Sequence, residues 1–294
     1  MLANWTIDTD RKTQVLIWDR ISPMVDDAIE AHKKMARSND SNHRTRAESG
    51  YSDADWLGRE FFSWAEVFAA VGGVWEEGMR SVEKMLEKIR DVGTPEPVSR
   101  KRRQVLSEQT GEVDVDRAMA GEYDYMRTHR RESSKGSQNL SIVCNVGGLS
   151  NVTSQEMWWR AAAIIAVIDV LESAGFSVEL WAWNRAEWTY PNKRDSDVMQ
   201  AVRIKECGEM LDLNLVVNAL STWFFRTINL TSRHIPEGME PDSGYGSSNH
   251  TLGEFRQYLD ISEDEVYEMP HATNEKTCVK NARELLTKII ADHS

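Results

Sequence analysis

The period of the apolar positions changes several times along the chain, and each change marks an element. In "QVLIWDRISPMVDDAIEAHKKMA" Trp18, Ile21, Val25, Ile29 and Met35 recur near helical spacing, with Pro23 as an early-turn residue or a kink. The next segment, "RSNDSNHRTRAESGYSD", is polar without a period and predicts a loop. Asp53 or Asp55 then caps "DWLGREFFSWAEVFAAVG", a helix whose Trp56, Phe61, Phe62, Trp64 and Phe68 are too many for a solvated face. After two glycines, "VWEEGMRSVEKMLEKIRDVG" sets Val74, Met79, Val82, Met85, Leu86 and Ile89 on one side and stops at Gly93. Residues 1–95 are therefore expected to be a helical region packed on the main domain.

Pro95 and Pro97 mark a connection. Residues 96–136 read as a linker with a short helix and a β-hairpin, in which "RRQVLS" and "EVDVDR" alternate around "EQTG" with Gly111 at the turn. From residue 137 to 294 an α/β domain is expected. "LSIVCNV" is a short apolar, β-branched run suited to a central strand. Thr153 and Glu156 form a capping box, and Gly175 stops the helix that follows. "SVELWAW" completes a βαβ unit, and after a polar excursion through Pro191 and Asn192, "AVRIKE" returns as an antiparallel edge strand. Asp212 caps "LNLVVNALSTWFFRTINL", a buried helix. A glycine- and serine-rich loop, a short helix around "LGEFRQYL", a strand in "DEVYEMP" and a last helix begun by Thr273 or Asn274 close the chain. The fold class is an open, mostly parallel α/β sheet with helices on both faces.

Over about residues 137–292 this order resembles the von Willebrand factor A-type fold, in which a first parallel strand and helix precede a two-strand hairpin. "GEVDVDRAMAGE" ahead of "SIVCNVGG" and "WWRAAAIIAVIDVLESAGFSVELWAW" is similar to an uncharacterised family found largely in bacteriophages and other bacterial mobile elements. That resemblance implies a setting, a bacterial host cytoplasm or a virion, and no particular reaction.

Ligands of open α/β sheets collect beyond the carboxyl ends of the strands, where the turn "NVGGLSNVTS" falls, so Asn145, Gly147, Gly148, Ser150 and Thr153 are the ligand-binding candidates. Metal-binding A-type domains carry D-x-S-x-S there, because a hard cation needs converging carboxylate and hydroxyl oxygens. Asn145, Gly147 and Leu149 hold the equivalent positions, so no metal is expected unless Ser150, Thr153 and Asp212 supply another register. The phosphate-binding fingerprints and the nucleophile elbow are missing from the same turn, and no cofactor is expected. Catalysis would need Asn145, Ser150, Asp212 and His234 to converge, and the expectation is a non-enzymatic protein.

Charge and aromatic content change this picture in two places. The net charge of −12 argues against unspecific duplex binding, yet Arg100, Lys101, Arg102 and Arg103, with Arg127, Arg130 and Arg131 downstream, form a local basic cluster. That cluster is either a phosphate contact or a solvated arm facing the acidic "EVDVD" strand. Among 11 tryptophans, Trp158, Trp159, Trp181, Trp183 and Trp188 are adjacent or alternating and cannot all face one core. They are candidates for a protein interface, for stacking on single-stranded nucleic acid, or for burial under the N-terminal helices. Three separated cysteines suit neither zinc nor a disulfide framework, and no apolar run reaches the roughly 20 residues of a membrane span. The function expected is thus a protein-interaction or self-assembly module without a membrane association, and the alternative is a nucleic-acid-associated protein using the basic cluster.

Overall fold

The computed structural model describes residues 4–8, 13–39, 41–89, 102–107, 112–113, 119, 126–131, 139–147, 152–187, 197–234, 266–269 and 274–293. Its centre is the expected βαβ unit. β6 (Asn139–Asn145) leads to α6 (Ser154–Ala174) and then to β7 (Ser177–Glu187), which lies parallel to β6. Thr153 and Glu156 close the capping box reciprocally, and Gly175, at φ 111°, terminates the helix in the left-handed region that favours glycine. β8 (Asp197–Lys205) returns antiparallel to β7, and β9 (Val266–Met269) adds parallel to β6 on the other side.

β8 is not an edge. "QVLIW" is a continuous apolar run that periodicity alone cannot divide between helix and strand, and it forms β2 (Thr13–Trp18), paired parallel to β8. β1 (Asn4–Asp8) pairs antiparallel to β2, giving the sheet order β1-β2-β8-β7-β6-β9. The sheet thus draws strands from both sides of the boundaries expected near residues 95 and 137. The first helix starts only at Ile21, as α1 (Ile21–Ala36).

Three further elements differ from the sequence pattern, each for a local reason. The polar segment expected to be a loop holds α2 (Ser41–Ser49), which buries only Ala47 and therefore shows no apolar stripe; it is tied to α1 by His32 Nε2 against Ala47 O at 3.1 Å. The aromatic helix after it is two pieces. α3 (Ala54–Leu57) is capped by Asp53 and ended by Gly58 at φ 72°, and α4 (Trp64–Ala70) restarts under the Ser63 cap. α5 (Glu76–Ile89) follows with Val82 and Met85 buried, whereas Val74, expected on its apolar side, precedes it and is 66% exposed; the expected stop at Gly93 lies outside the described residues. The "LNLVVNALSTWFFRTINL" segment is buried along most of its length but divides into α7 (Leu213–Ala219), α8 (Thr222–Phe224), a π-helical turn (Phe225–Asn229) and α9 (Leu230–Ser232). Ser221 recaps the chain in the middle, and Thr227 Oγ1 donates to Trp223 O at 2.7 Å inside the hydrogen-bond ladder. α10 (Glu275–Asp292) begins at its Asn274 cap. Of the short helix expected within residues 96–136 only Met119 is described as helical, and the short helix expected around "LGEFRQYL" lies outside the described residues.

Cross-strand register sorts the sheet residues into two faces. Leu16, Trp18, Leu140, Ile142, Leu180, Ala182, Val202, Tyr267 and Met269 share one apolar cluster with the helices from α1 to α10. Val15, Val143, Trp181, Trp183, Met199, Ala201 and Val266 form a second cluster on the opposite face, and among the described residues it contains strand residues only. Each large side chain buried this completely contributes about 1.5–3 kcal/mol. The strands are therefore apolar on both faces, which is why "LSIVCNV" and "QVLIW" do not alternate.

Candidate functional site

The described start of the turn after β6 is tied down by hydrogen bonds to its own residues and to α6. Asn145, 3% exposed, accepts Gly147 N–H on Oδ1 at 2.8 Å, while its carbonyl accepts Arg160 Nη1 at 2.8 Å. Arg160 rises from α6 into a site where it is 1% exposed. Burial pulls its pKa down, and Cys144, Cys278 and Glu156 oppose that shift. A guanidinium therefore lies beside the position from which an A-type turn would grip a cation, and like charge disfavours a cation there. Thr153 Oγ1 accepts Glu156 N–H at 3.3 Å and so belongs to the cap. Gly148 and Ser150 lie outside the described residues.

The first turn of α6 is covered on one side only, with Thr153 and Gln155 exposed. A Cβ on Gly58 would overlap Ser154 Cβ, so the end of α3 lies directly on the start of α6. Arg226, 4% exposed, clasps the two: Nη2 donates to Val152 O at 2.6 Å and Nη1 donates to Trp56 O. Thr222 Oγ1 donates to Leu57 O at 2.7 Å. One side of this helix start is thus packed by the end of α3, and the Glu156 amide is taken by the Thr153 cap, while Thr153 and Gln155 remain exposed. Asp212 caps α7 after β8 has run back, at the opposite end of the sheet, and does not join Asn145.

Next to the closed turn lies a buried polar corner that sequence periodicity did not reveal. Asn184 and Gln200 are register partners on β7 and β8, each 0% exposed, on the face toward the helices. Asn184 Nδ2 donates to Asn229 Oδ1 at 2.7 Å; Gln200 Nε2 donates to Asn229 O at 2.9 Å and to Ser232 Oγ at 3.1 Å. The π-helical turn ends at Asn229, a feature frequent at functional sites. Among the described residues Asn184 Oδ1, Gln200 Oε1, Thr231 Oγ1 and His234 Nε2 have no hydrogen-bond partner. The His234 ring meets His43 of α2 edge-on at 5.3 Å. Burial, then Arg46, Arg233 and His43, push the His234 imidazole down to about 2, so it is neutral at physiological pH. The signal for this corner was available: a polar residue on the helix-facing side of each of two apolar strands.

The other end of the sheet is open. Where β2 and β8 finish, a cavity of about 420 Å³ is lined by Asp19, Arg20, Arg203, Lys205, Glu206 and Glu209 among others. Lys205, 2% exposed, donates to Glu172 at 2.8 Å and to Val178 O at 2.6 Å. Arg203 bridges Asp19 O at 3.2 Å and Glu179 at 3.4 Å, and Arg20 reaches Glu206 and Glu209 at 3.6 and 3.8 Å.

The tryptophans expected at an interface are turned inward. Trp159, Trp181 and Trp183 are 7%, 4% and 0% exposed, and Trp158 is half-buried against Trp75 with ring centroids 5.6 Å apart; Trp188 lies outside the described residues. Because the sheet is covered on both faces, Trp181 and Trp183 are absorbed on the face opposite the helices, not beneath the N-terminal ones. The basic residues, by contrast, come together. β3 (Arg102–Ser107) pairs with β5 (Met126–Arg131), placing Arg102 opposite Arg131 and Arg103 opposite Arg130. β4 (Glu112–Val113) joins the far side of β5, with Arg127 opposite Glu112, so the expected β3–β4 hairpin is instead a three-strand ribbon ordered β3-β5-β4. Arg100 and Lys101 lie outside the described residues.

Among the described residues no group of three or more His, Cys, Asp or Glu is placed to hold a metal ion, and no helix is long and apolar enough to cross a membrane. The geometry defines a mixed α/β sheet protein with a self-filled strand-end crevice and a separate arginine ribbon. The chain belongs to the family described as Domain of unknown function (DUF7192), which matches residues 14–292. No curated protein and no solved structure matches it.

Proposed function

We propose that the chain contacts duplex DNA through the β3–β5 ribbon. The observation that carries this reading is the cross-strand register: two Arg–Arg pairs lie directly opposite each other, with Arg127 further along β5. Like charges in opposing positions destabilise a bare ribbon, and a polyanion laid against it removes that cost. β4 pairs only with Met126 and Arg127, so the end with the arginine pairs is two-stranded; a two-stranded β-ribbon fits the major groove of B-DNA, whereas the major groove of an RNA duplex is too narrow for it. Single strands are held chiefly by aromatic stacking, and "RRQVLS" and "MRTHRR" contain no Phe, Tyr or Trp. With a net charge of −12 the remaining surface repels phosphate, which confines contact to the ribbon.

Assembly through exposed tryptophans has no comparable support, since the four described ones are buried or half-buried. The order β6-α6-β7-β8, with β9 beside β6, supports an A-type likeness; a phage or mobile-element setting rests on the sequence resemblance and belongs to the same proposal.

Fluorescence anisotropy with duplex DNA, single-stranded DNA and duplex RNA across a salt series tests it. Duplex DNA should bind best, and a variant carrying Arg102→Gln, Arg103→Gln, Arg130→Gln and Arg131→Gln should lower the log–log salt slope by about 0.9 for each phosphate that the ribbon no longer neutralises. Duplex binding that is absent at low salt, or unchanged in the variant, overturns the proposal. A salt-sensitive dimer that the variant dissolves would reassign the ribbon to the acidic surface of a second copy.

A further inference from the structure

The buried corner at the end of the π-helical segment carries a second inference, independent of the ribbon. His43 and Arg46 stand three residues apart on one side of α2, both part-exposed, and both act on His234. Behind them Arg233 is 3% and His234 9% exposed, and the His43 and His234 rings meet edge-on at 5.3 Å. Thr231 Oγ1, 0% exposed, and His234 Nε2 both lack a hydrogen-bond partner. Among the described residues the groups that act on the His234 charge are Arg46, Arg233 and His43, and each of them disfavours a proton there. A positive field around buried hydroxyl and imidazole groups without partners, behind the part-exposed face of α2, suits one ligand chemistry, a small oxyanion.

We propose that Arg46, Arg233, Thr231 and His234 form a binding site for a phosphate or carboxylate group. The guanidinium groups supply charge, and the Thr231 hydroxyl and the His234 Nε2–H supply directional donors. An anion here would also reverse the field on the imidazole and raise its affinity for a proton. This effect gives the site a readout that simple structural support would not move.

The test uses the full chain with the four ribbon arginines replaced by glutamine, so that heat from the ribbon does not enter. Inorganic phosphate is titrated by calorimetry and by NMR of histidine-labelled protein, with His234→Gln assigning the resonance; acetate is titrated in parallel. Binding should perturb the His234 ring and raise its pKa from about 2. Arg46→Gln should weaken binding roughly tenfold through removal of a charge-assisted hydrogen bond, and its urea midpoint, read alongside, separates lost binding from lost fold. Response to phosphate alone identifies a phosphate site, and response to acetate as well identifies a general carboxylate and phosphate site. If neither anion perturbs His234, or if Arg46→Gln binds as tightly as the parent, the assignment is wrong.

Discussion

The two ends of the central sheet divide space and chemical need between them. Beyond β2 and β8 there is a cavity of about 420 Å³, yet its basic groups are already matched: Lys205 by Glu172, Arg203 by Glu179, Arg20 by Glu206 and Glu209. Beyond β6 and β7 the crevice is filled by the α3 end, Arg160 and Arg226, yet the corner beside it leaves Thr231 Oγ1 and His234 Nε2 without partners. An open pocket with satisfied walls asks for no particular ligand. A nearly closed corner with unsatisfied walls asks for a small and polar one.

The matched charges at the open end should be the most sensitive part of this contrast. Lys205 is 2% exposed, and Lys205→Ala strands Glu172, itself only 12% exposed, away from its counter-charge. Removing one partner of a buried pair costs about 3–5 kcal/mol, read as a lowered urea midpoint. Replacing both, as Lys205→Met with Glu172→Leu, should recover most of that deficit. If the single variant unfolds at the parent midpoint, the pair does not hold this end.

At the closed end Gly58→Ala is the next largest change. A side chain there overlaps Ser154 and must also adopt φ 72°. Left-handed backbone costs an L-residue about 1–2 kcal/mol, and overpacking adds about 1–3 kcal/mol. Adding Ser154→Gly should return the overpacking part and leave the backbone part. A harmless Gly58→Ala would mean that α3 does not lie on α6.

Acid gives the corner its own signature. His234 has its pKa lowered from 6.5 to about 2, first by burial and then by Arg46, Arg233 and His43, so the folded state binds fewer protons than the unfolded state between those values. Stability contributed by the neutral ring is fully present above pH 6.5 and falls by about 1.4 kcal/mol for each unit below it. In His234→Gln the slope of unfolding free energy against pH should flatten by one proton below pH 6.5. Saturating phosphate should flatten it in the parent chain too, because the anion makes the charged ring tolerable.

Much of the fold was legible because it is local. The Thr153–Glu156 box, Gly175 and the apolar runs of β6 and β7 declare themselves within a few residues. β2 was not separable from the α1 pattern, since a strand covered on both faces has no period of two and "VLIW" fits either structure. α2 was invisible because one buried alanine makes no stripe. The turn at Asn145 follows from the strand before it, but its closure depends on Gly58, Arg160 and Arg226, which reach it only through the tertiary fold. The polar corner joins residues 43–46, 184, 200 and 229–234, and no local spacing connects them.

The smallest expected effect tests whether the open end is truly indifferent. Arg20 is 62% exposed and pairs with Glu206 and Glu209 at 3.6 and 3.8 Å across the cavity rim. Exposed pairs of this kind gain little, because water screens them and long side chains lose freedom to meet, so Arg20→Ala should change stability by no more than about 1 kcal/mol. Salt should erase even that difference. The same substitution would matter far more if the cavity held a ligand, because Arg20 would then be an anchor and not half of a screened pair. Equal unfolding midpoints for the parent and Arg20→Ala in high salt would leave the open end as a satisfied surface, while a large difference that persists there would mark a site that its internal pairing conceals.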